Sequence, residues 1–302
     1  MKCIFIYNPK SGKGKVTKKL ALIESTLKQK FSRVTIYATK SAEDTIRIAK
    51  DSCDKYDAII FAGGDGTFND IASGVSGCDI RPILGYIPTG TVNDIARNLR
   101  ISRNIKKALK VITDGNYMYH DVGTINDSYF IYVSAIGTFT EVSYRTKQKA
   151  KKTFGRLAYV FDGLKEIVAP KTLNVHIETE NESIEMKVPL VLITNTRSVG
   201  GIPFNRTGHL NDGEFDIILV KKGKHTKGLI NIAKLFTFGI GRKKVARHFI
   251  SLRGSKIRVK VNDEITWCVD GEVGPKGEVL IKNLHNHLRI YVPKKTIKTN
   301  IK

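Results

Sequence analysis

Up to about residue 121, short apolar runs alternate with stretches in which apolar residues recur every three or four positions. The runs cover residues 3–7, 34–38, 58–62 and 83–87, and their length suits strands that are buried on both faces. Leu20, Ile23 and Leu27 show the helical spacing between the first two runs. This alternation predicts βαβ units and a doubly wound α/β domain, which binds ligands at the carboxyl ends of its strands.

After Asp121 the pattern changes to strand-like runs separated by turn sequences. It predicts a second, mostly antiparallel β domain with helical insertions near residues 155–169 and 226–249. The predicted domains cover residues 1–121 and 122–293, with residues 294–302 as a tail able to return to the first domain. The predicted strands of the second domain are residues 129–135, 172–179, 185–194, 215–220, 256–261 and 279–282.

Composition excludes a disordered chain, because 41% of the 302 residues are hydrophobic and can form a sizeable core. The longest run without a charged residue spans residues 128–140, whereas a membrane-spanning helix needs about 20 apolar residues. The N-terminal residues run straight into a predicted strand, so no signal segment is expected. We therefore expect a soluble, cytoplasmic protein.

The four cysteines, Cys3, Cys53, Cys78 and Cys268, are far apart and form no CxxC pair. This distribution favours reduced, inert thiols over a disulfide framework. The histidines show no metal-ligand spacing, so surface or core roles are favoured for them. Trp267 lies in an apolar stretch and is expected in a strand of the core or at the junction of the domains.

The chain is strongly basic, with 51 Lys and Arg against 28 Asp and Glu and a net charge of +23. Such a balance indicates a polyanionic partner, which could be nucleic acid, an anionic membrane surface or a phosphate-rich small molecule. Basic clusters lie in residues 145–156, 221–227 and 242–247, and any one of them could be only a solvated face. Three clusters in one domain favour an anionic membrane surface. No RNA-binding or helix-turn-helix signature is evident, so no nucleic-acid partner is expected.

Residues 229–238, between two of these basic clusters, are unusually apolar. They are apolar enough to touch lipid, but they could equally pack inside the domain. The sequence leaves both interpretations open.

The segment Gly-Gly-Asp-Gly-Thr-Phe-Asn-Asp, from Gly63 to Asp70, directly follows a predicted strand and opens a helix. Glycines permit positive φ and let a ligand approach backbone N–H groups. The helix N-terminus adds a partial positive charge, so phosphate is the expected ligand. The alternative is an Asp-Gly turn that merely reverses the chain.

Two further loops follow predicted strands of the same domain. Residues 88–94 open a helix that Thr91 and Asn93 can cap, and capping alone would account for those residue types. Residues 8–14 resemble a P-loop in composition but lack the Walker spacing, which disfavours a P-loop NTPase. Because parallel strands can deliver all three loops to one edge, the loops together predict one ligand site.

In chain order, the motifs are Asn8-Pro-Lys-Ser-Gly12, Thr39, Gly63-Gly-Asp-Gly-Thr67 with Asn69, Pro88-Thr-Gly-Thr-Val-Asn-Asp94 and Asp270-Gly-Glu272. This set resembles bacterial soluble diacylglycerol kinases and the broader lipid kinase family that includes sphingosine and ceramide kinases, over nearly the whole chain. Gly-Gly-Asp-Gly-Thr alone also occurs in NAD kinases, but those would show a Gly-Ser-Thr-Ala-type segment and no late Asp-Gly-Glu. The resemblance implies an N-terminal doubly wound domain like that of NAD kinases and diacylglycerol kinases, followed by a mostly antiparallel β-sandwich.

The resemblance also implies a role for each matching residue. Glu272 would be the general base, and Asp65 would be catalytic and lie near the magnesium ion that bridges the phosphates of ATP. Asp212 would hold a structural magnesium ion together with backbone carbonyls at His209 and Glu214. Asp70 stands where many members carry Glu, which leaves its contact open. The residues implied in ATP binding are Asn8, Pro9, Lys10, Ser11, Gly12, Thr39, Gly63, Gly64, Asp65, Gly66, Thr67, Phe68, Asn69, Asp70 and Thr91.

Two classes of function remain open at this stage. The favoured one is an ATP- and Mg²⁺-dependent kinase that phosphorylates a lipid hydroxyl, with diacylglycerol as the expected acceptor, on a peripheral anionic membrane surface. Phosphoryl transfer mainly needs positioning and charge stabilisation, which a backbone nest, an Asp near magnesium and one base supply. The alternative is a non-catalytic basic protein that binds acidic lipid or nucleic acid, in which Asp270-Gly271-Glu272 is only a hairpin turn. A homodimer is left open as a further partner.

Overall fold

The computed structural model describes residues 1–9, 14–138, 172–205, 208–223, 227–240, 246–262 and 264–300. The chain divides into two compact units, of which unit 1 comprises Met1–His120 with Asn286–Lys302 and unit 2 comprises Asp121–His285. The return to unit 1 begins at Asn286, earlier than the tail considered from the sequence, because the last strand already carries the chain back. No described helix is long and apolar enough to cross a membrane.

Unit 1 contains the doubly wound domain that the sequence predicts. Its parallel strands lie in the order β2-β1-β3-β4, and β3 is buried along its whole length. Ser41 and Asn104 cap the second and fifth helices by accepting hydrogen bonds from backbone N–H groups, at 3.1 and 3.2 Å. The elements are β1 (Lys2–Tyr7), α1 (Leu20–Leu27), β2 (Arg33–Ala38), α2 (Ala42–Lys50), β3 (Ala58–Gly63), α3 (Asp65–Ser76), β4 (Ile83–Pro88), α4 (Asp94–Asn98) and α5 (Ile105–Asp114).

The remaining strands belong mainly to unit 2, which also contains helix α6 (Lys227–Phe238). They are β5 (Tyr117–Ile125), β6 (Ser128–Phe130), β7 (Val133–Gly137), β8 (Leu173–Glu178), β9 (Ser183–Val188), β10 (Leu190–Thr194), β11 (Ser198–Val199), β12 (Ile202–Pro203), β13 (Phe215–Val220), β14 (Phe249–Gly254), β15 (Lys256–Lys260), β16 (Thr266–Val269), β17 (Glu272–Lys276) and β18 (Val279–Tyr291).

Two antiparallel sheets share the core of unit 2. One has the order β14-β13-β10-β7-β16-β17, and the other contains β15, β8, β9 and the first half of β18. Both sheets contribute to one apolar cluster that includes Val175, Ile217 and Ile281. Trp267 is completely buried in this cluster, and its indole N–H donates to the carbonyl of Gly277 at 3.0 Å. The predicted β-sandwich and the core position of Trp267 are confirmed.

Two predicted strands are wrong as single elements. The run 129–135 is divided into β6 and β7, because the N–H groups of Ile131 and Tyr132 bind the carboxylate of Asp270 instead of a neighbouring strand. The run 185–194 is divided into β9 and β10 at Pro189, which has no N–H, and the two halves belong to different sheets.

The other predicted elements of unit 2 differ mainly in extent. Within the insertion expected over 226–249, the structure describes helix α6 over Lys227–Phe238, and β14 already begins at Phe249. The insertion expected near 155–169 lies outside the described residues. Trp267 lies in β16, as expected for a strand residue, whereas β17 was not predicted.

The chain returns to unit 1 through β18 and helix α7 (Lys294–Asn300). Ile290 of β18 pairs in parallel with Leu84 of β4, and the amide of Val292 donates to the carbonyl of Asn116 at 2.9 Å. In α7, the buried hydroxyl of Thr296 donates to the carbonyl of Leu99 at 2.9 Å. The C-terminal segment is therefore an integral part of unit 1.

Cys53 and Cys78 form a disulfide, so the expectation of reduced thiols is wrong for this pair. Their Cα atoms are 6.5 Å apart, because Cys53 follows α2, Cys78 follows α3, and the two helices pack against each other. Gly74 permits this packing, since a Cβ there would lie 2.5 Å from the carbonyl oxygen of Ile46. Cys3 and Cys268 form no disulfide with a described cysteine, and burial raises the pKa of Cys3 to about 12, which keeps it protonated and inert.

Candidate functional site

The loops that follow β3 and β4 are tied together through the carbonyl oxygen of Gly63. The amides of Thr89 and Gly90 both donate to this oxygen, at 2.8 and 3.2 Å. Glycine is required where the loops meet, because a Cβ on Gly90 would lie 2.5 Å from the Cα of Gly64. The prediction that these two loops share one edge of the sheet is therefore confirmed.

Asn93 has a role in this loop that differs from the predicted one. It occupies the N-cap position of α4 in a left-handed conformation, with φ of 55°, but its side chain makes no capping hydrogen bond with the described residues of the helix. Its amide group instead bonds Gly90, accepting from the N–H at 3.0 Å and donating to the carbonyl at 2.7 Å. The hydroxyl of Tyr86 lies 3.2 Å from the same Asn93 oxygen. Asn93 therefore fixes the loop after β4.

Asp65 connects the starts of two helices. It is the first residue of α3, its side chain is buried, and its Oδ1 accepts from the amide of Ile95 in α4 at 3.1 Å. The position gives a carboxylate with fixed orientation at the edge where the strands end. A residue that organises a metal ion against phosphate oxygens needs this placement.

The N-terminus of α3 is suited to bind an anion. Gly64 is its N-cap and supplies no side-chain cap, so the helix dipole and the first N–H groups face the loop side. A Cβ on Gly66 would meet no described atom within 4 Å, which shows that this side is open. The buried Asn69 Oδ1 and Thr89 Oγ1 have no hydrogen-bond partner in the described part of the chain. These features fit a phosphate-bearing ligand such as ATP.

The other residues predicted to bind nucleotide lie mostly on the same edge. Asn8 and Pro9 follow β1, whose end is in register with the ends of β2 and β3. Thr39 follows β2, and its hydroxyl donates to the carbonyl of Tyr7 at 3.4 Å. Thr91 is exposed on the loop after β4. Lys10, Ser11 and Gly12 lie outside the described residues.

Four more residues predicted to bind ATP lie at the end of β3 and in the first two turns of α3: Gly63, Thr67, Phe68 and Asp70. A Cβ on Gly63 would overlap the side chain of Thr67, which explains the glycine at this position. Phe68 is buried against the rings of Phe61 and Tyr86, and it anchors α3 on the sheet. Asp70 is half-buried in the second turn of α3.

In unit 2, Asp270 holds the turn between β16 and β17. Its carboxylate accepts from three consecutive backbone N–H groups, those of Ile131, Tyr132 and Val133, at 2.7, 3.1 and 2.9 Å. Asp270 itself has φ of 50°, a conformation that Asp tolerates better than most residues. The anchored turn presents Glu272, the predicted base, at the exposed start of β17.

The sequence alone did not identify Asp270 as an anchor. An Asp before a Gly is common in simple turns, and nothing in the local sequence shows which distant amides it binds. The sequence offered only an indirect signal. The run 129–135 was predicted as one strand, and nothing within the run itself indicates why it should be interrupted.

The predicted structural magnesium site is a turn whose carboxylates contact Arg253. The guanidinium of Arg253 pairs with Asp212, with Glu214 at 3.0 Å and with Asp216 at 3.5 Å. Burial raises the pKa of Asp216, while a hydrogen bond from Asn205 and the charge of Arg253 oppose that shift. No cluster of three His, Cys, Asp or Glu side chains in the described ranges is arranged to hold a metal ion. Arg253, which was not predicted, therefore supplies positive charge where a metal ion was expected.

His209 and Asp121 complete the surroundings of this turn. The ring Nδ1 of His209 is buried and has no hydrogen-bond partner among the described residues. Asp121 is completely buried, and its carboxylate accepts from the amide of Gly213 at 2.7 Å. The turn is thus held by side chains from several elements of unit 2.

Two family models match the chain. The diacylglycerol kinase catalytic domain matches residues 2–125, and the YegS C-terminal NAD kinase beta sandwich-like domain matches residues 133–292. The chain is 33% identical to a diacylglycerol kinase of Bacillus subtilis over 293 residues, which cover 96% of this chain and 95% of that protein. It is 32% identical to a diacylglycerol kinase of Staphylococcus carnosus over 303 residues, which cover 98% and 96%.

A solved structure is also similar to the chain. The crystal structure of a diacylglycerol kinase from Bacillus anthracis superposes with a TM-score of 0.83 and 27% sequence identity. The superposition covers 97% of this chain and 98% of the other. The similarity therefore extends over both units.

Proposed function

The chain belongs to the diacylglycerol kinase family, and from this premise we propose that it transfers the γ-phosphoryl group of ATP to the hydroxyl of a lipid. Diacylglycerol is the proposed acceptor, and phosphatidic acid is then the product. The observation that carries the proposal is the edge of unit 1, where glycine loops, the open start of α3 and the fixed carboxylate of Asp65 come together.

The residues of unit 1 would bind and orient ATP. The amides at the start of α3 and the loop fixed by Asn93 would contact the phosphates, as backbone nests do. Bound Mg²⁺ would neutralise charge on the β- and γ-phosphates, and Asp65 is the residue that would hold it. Phe68, Tyr86 and Gly63 keep these groups in place, so little reorganisation would accompany the reaction.

Glu272 would accept the proton of the lipid hydroxyl as that oxygen attacks the γ-phosphorus. Asp270 would contribute by holding the turn in one conformation through three backbone amides. The proton would thus move from the acceptor oxygen to a carboxylate oxygen of Glu272, while the bond to the leaving ADP breaks.

Peripheral association with an anionic membrane surface is part of the proposal, since the acceptor lies in a bilayer. The net charge of +23 supports this association, because each Lys or Arg near an anionic membrane surface contributes about 1 kcal/mol of attraction. Of the predicted basic clusters, residues 145–156 and 242–244 lie outside the described residues. Lys221 and Lys222 of the cluster 221–227, and Arg247 of the cluster 242–247, are described and belong to unit 2.

The test is ATP turnover on a panel of lipids in mixed micelles, with Mg²⁺ titrated. We expect turnover on diacylglycerol, and Asp65→Asn should weaken Mg²⁺-ATP binding and lower the rate by at least about tenfold, because it removes a charge opposite the metal-bound phosphates. Asp79→Asn, an exposed Asp of the same unit, is the matched control. Wild-type binding and rate in Asp65→Asn would reject this nucleotide site, and absence of turnover on every lipid would favour a binding protein.

A further inference from the structure

Helix α6 in unit 2 exposes an apolar face. Ile230 and Phe238 are 48% and 44% exposed, and Ala233 and Thr237 are exposed between them. Their spacing of three and four residues places Ile230, Ala233 and Thr237 on one side of the helix, with Phe238 beside them. The hydroxyl of Thr237 donates to the carbonyl of Ala233 at 2.8 Å, so its methyl group adds to the apolar face.

The opposite side of α6 fixes the helix on the β-sandwich. Ile232 and Leu235 are buried, and the helix packs on β13. The side-chain amide of Asn231 donates to the carbonyl of Lys221 at 3.1 Å. The exposed apolar face is therefore presented by an anchored helix, of which only one side packs inside the domain.

Positive charges border this face. Lys234 and Arg247 lie 3.1 and 3.5 Å from the ring Nε2 of His248. Lys221 is also close, since its backbone amide donates to the carbonyl of His248 at 2.9 Å, and burial and the charges of Lys234, Arg247 and Lys221 lower the pKa of His248. Residues 217–262 contain 13 Lys and Arg and no Asp or Glu, so no acid within this stretch offsets them.

We propose that α6 is the element of unit 2 that contacts an anionic lipid bilayer. Its apolar face, formed by Ile230, Ala233, Thr237 and Phe238, enters the boundary between headgroups and acyl chains, and the bordering Lys and Arg side chains bind lipid phosphates. This inference rests on the proposed function, because a lipid acceptor requires contact with a bilayer, and it names the surface that makes the contact.

The charge of the patch selects the bilayer over other occupants. A second copy of the chain would bring two basic borders together, and their electrostatic repulsion would oppose association through this face. Nucleic acid would satisfy the cations but would leave Ile230 without an apolar partner. An anionic bilayer complements both the apolar face and its charged border.

The first test measures co-sedimentation with vesicles of phosphatidylglycerol and phosphatidylcholine. Ile230→Gln combined with Phe238→Gln should lower the partition coefficient by about tenfold or more, since two apolar side chains lose their burial in lipid. Ile80→Gln, which alters a 70% exposed apolar side chain of unit 1, is the matched control and should bind as wild type does. Wild-type binding by the double variant would overturn the inference.

A second set of variants separates charge from insertion. Lys234→Gln and Arg247→Gln should each lower binding about fivefold at low salt and much less at high salt, as expected for exposed cations near an anionic surface. Phe238→Trp adds a tryptophan to the exposed face, and its fluorescence should be quenched by brominated lipid when it lies within the bilayer. The wild type, which has only the buried Trp267, gives the background level of quenching. Quenching equal to that background would contradict insertion of α6.

Turnover on a short-chain, water-soluble diacylglycerol distinguishes this inference from the proposed function. The double variant should retain that turnover and lose activity on vesicles. If no diacylglycerol is phosphorylated but α6 still determines vesicle binding, the kinase proposal fails and the docking surface stands. If the wild type is a dimer without lipid and the double variant is a monomer, the face is a self-association surface and the inference fails.

Discussion

The two regions that carry the candidate chemistry are constructed in different ways. At the edge of unit 1, backbone groups and glycines form most of the site, and the carbonyl of Gly63 accepts hydrogen bonds from two amides of the neighbouring loop. In unit 2, side chains hold the turns, with the buried Asp270 binding three amides and the partly exposed Arg253 contacting three carboxylates. A backbone site depends on where Cβ atoms are absent, whereas a side-chain site depends on which distant residues meet.

This difference determines how each region tolerates substitution. In unit 1, adding one carbon atom at a contact between loops should disturb the site. In unit 2, removing one carboxylate should leave several buried donors without acceptors. The four predictions below test these expectations from the largest effect to the smallest.

The largest effect is expected for Glu272→Gln. This change keeps the volume and hydrogen bonding of the side chain but removes the base, so kcat should fall by about 10²–10⁴-fold with little change in Tm. Glu278→Gln, at an acid of the same unit that faces Arg258 at 3.6 Å, is the control and should leave kcat near the wild-type value. A near-wild-type kcat in Glu272→Gln would mean that Glu272 of unit 2 is not the general base.

A smaller, structural effect is expected for Asp270→Ala. Three backbone N–H groups lose their acceptor, and each unsatisfied buried donor costs about 1–3 kcal/mol, so the free energy of unfolding should fall by at least about 3 kcal/mol. Asp270→Asn keeps one acceptor oxygen and tolerates the left-handed backbone, so its stability should be intermediate. Urea denaturation measures all three proteins. An Ala variant as stable as wild type would mean that strand pairing alone holds the turn.

The corresponding test in unit 1 uses two glycines of the same site. Gly90→Ala places a Cβ 2.5 Å from the Cα of Gly64 and should lower stability by about 1–3 kcal/mol, together with ATP affinity. Gly66→Ala meets no described atom within 4 Å and, as an alanine in a helix, should leave stability unchanged or raise it by about 0.5–1 kcal/mol. Thermal unfolding with and without ATP separates the effects. Equal destabilisation by both changes would contradict the close approach of the loops.

The smallest effect is expected for Mg²⁺ at the turn of Asp212. If Asp212 binds a structural ion, Mg²⁺ should raise the Tm of the wild type slightly and should not raise that of Asp212→Ala. Arg253→Gln removes the competing guanidinium and should enlarge the shift caused by Mg²⁺. The same shift in wild type and Asp212→Ala would make Asp212 only a turn residue that Arg253 neutralises.

The same contrast explains how far the sequence could predict the molecule. The parallel strands of unit 1 and the loops after them were predictable, because apolar runs, glycines and helix starts are local signals. The contact of Asp270 with Ile131 joins residues 139 positions apart, and the pairing of Cys53 with Cys78 depends on the packing of two helices. Such contacts are set by tertiary packing, for which a single sequence has no local signature.

The two sides of α6 show a further limit. A run such as residues 229–238 indicates apolar character, but it does not show which positions face the core until the partner sheet is known. The structure assigns Ile232 and Leu235 to the core and Ile230 and Phe238 to the exposed face. The proposed docking surface could therefore be defined only from the structure.

The construction of unit 1 from two segments of the chain has a consequence for its synthesis on the ribosome. The segment from Asn286 is translated after all of unit 2, so unit 1 cannot reach its final form co-translationally before unit 2 has emerged. Until then β4 lacks its partner at Ile290, and the carbonyl of Leu99 lacks the hydroxyl of Thr296. A nascent chain therefore exposes an unpaired parallel edge, which is a target for chaperones and for aggregation.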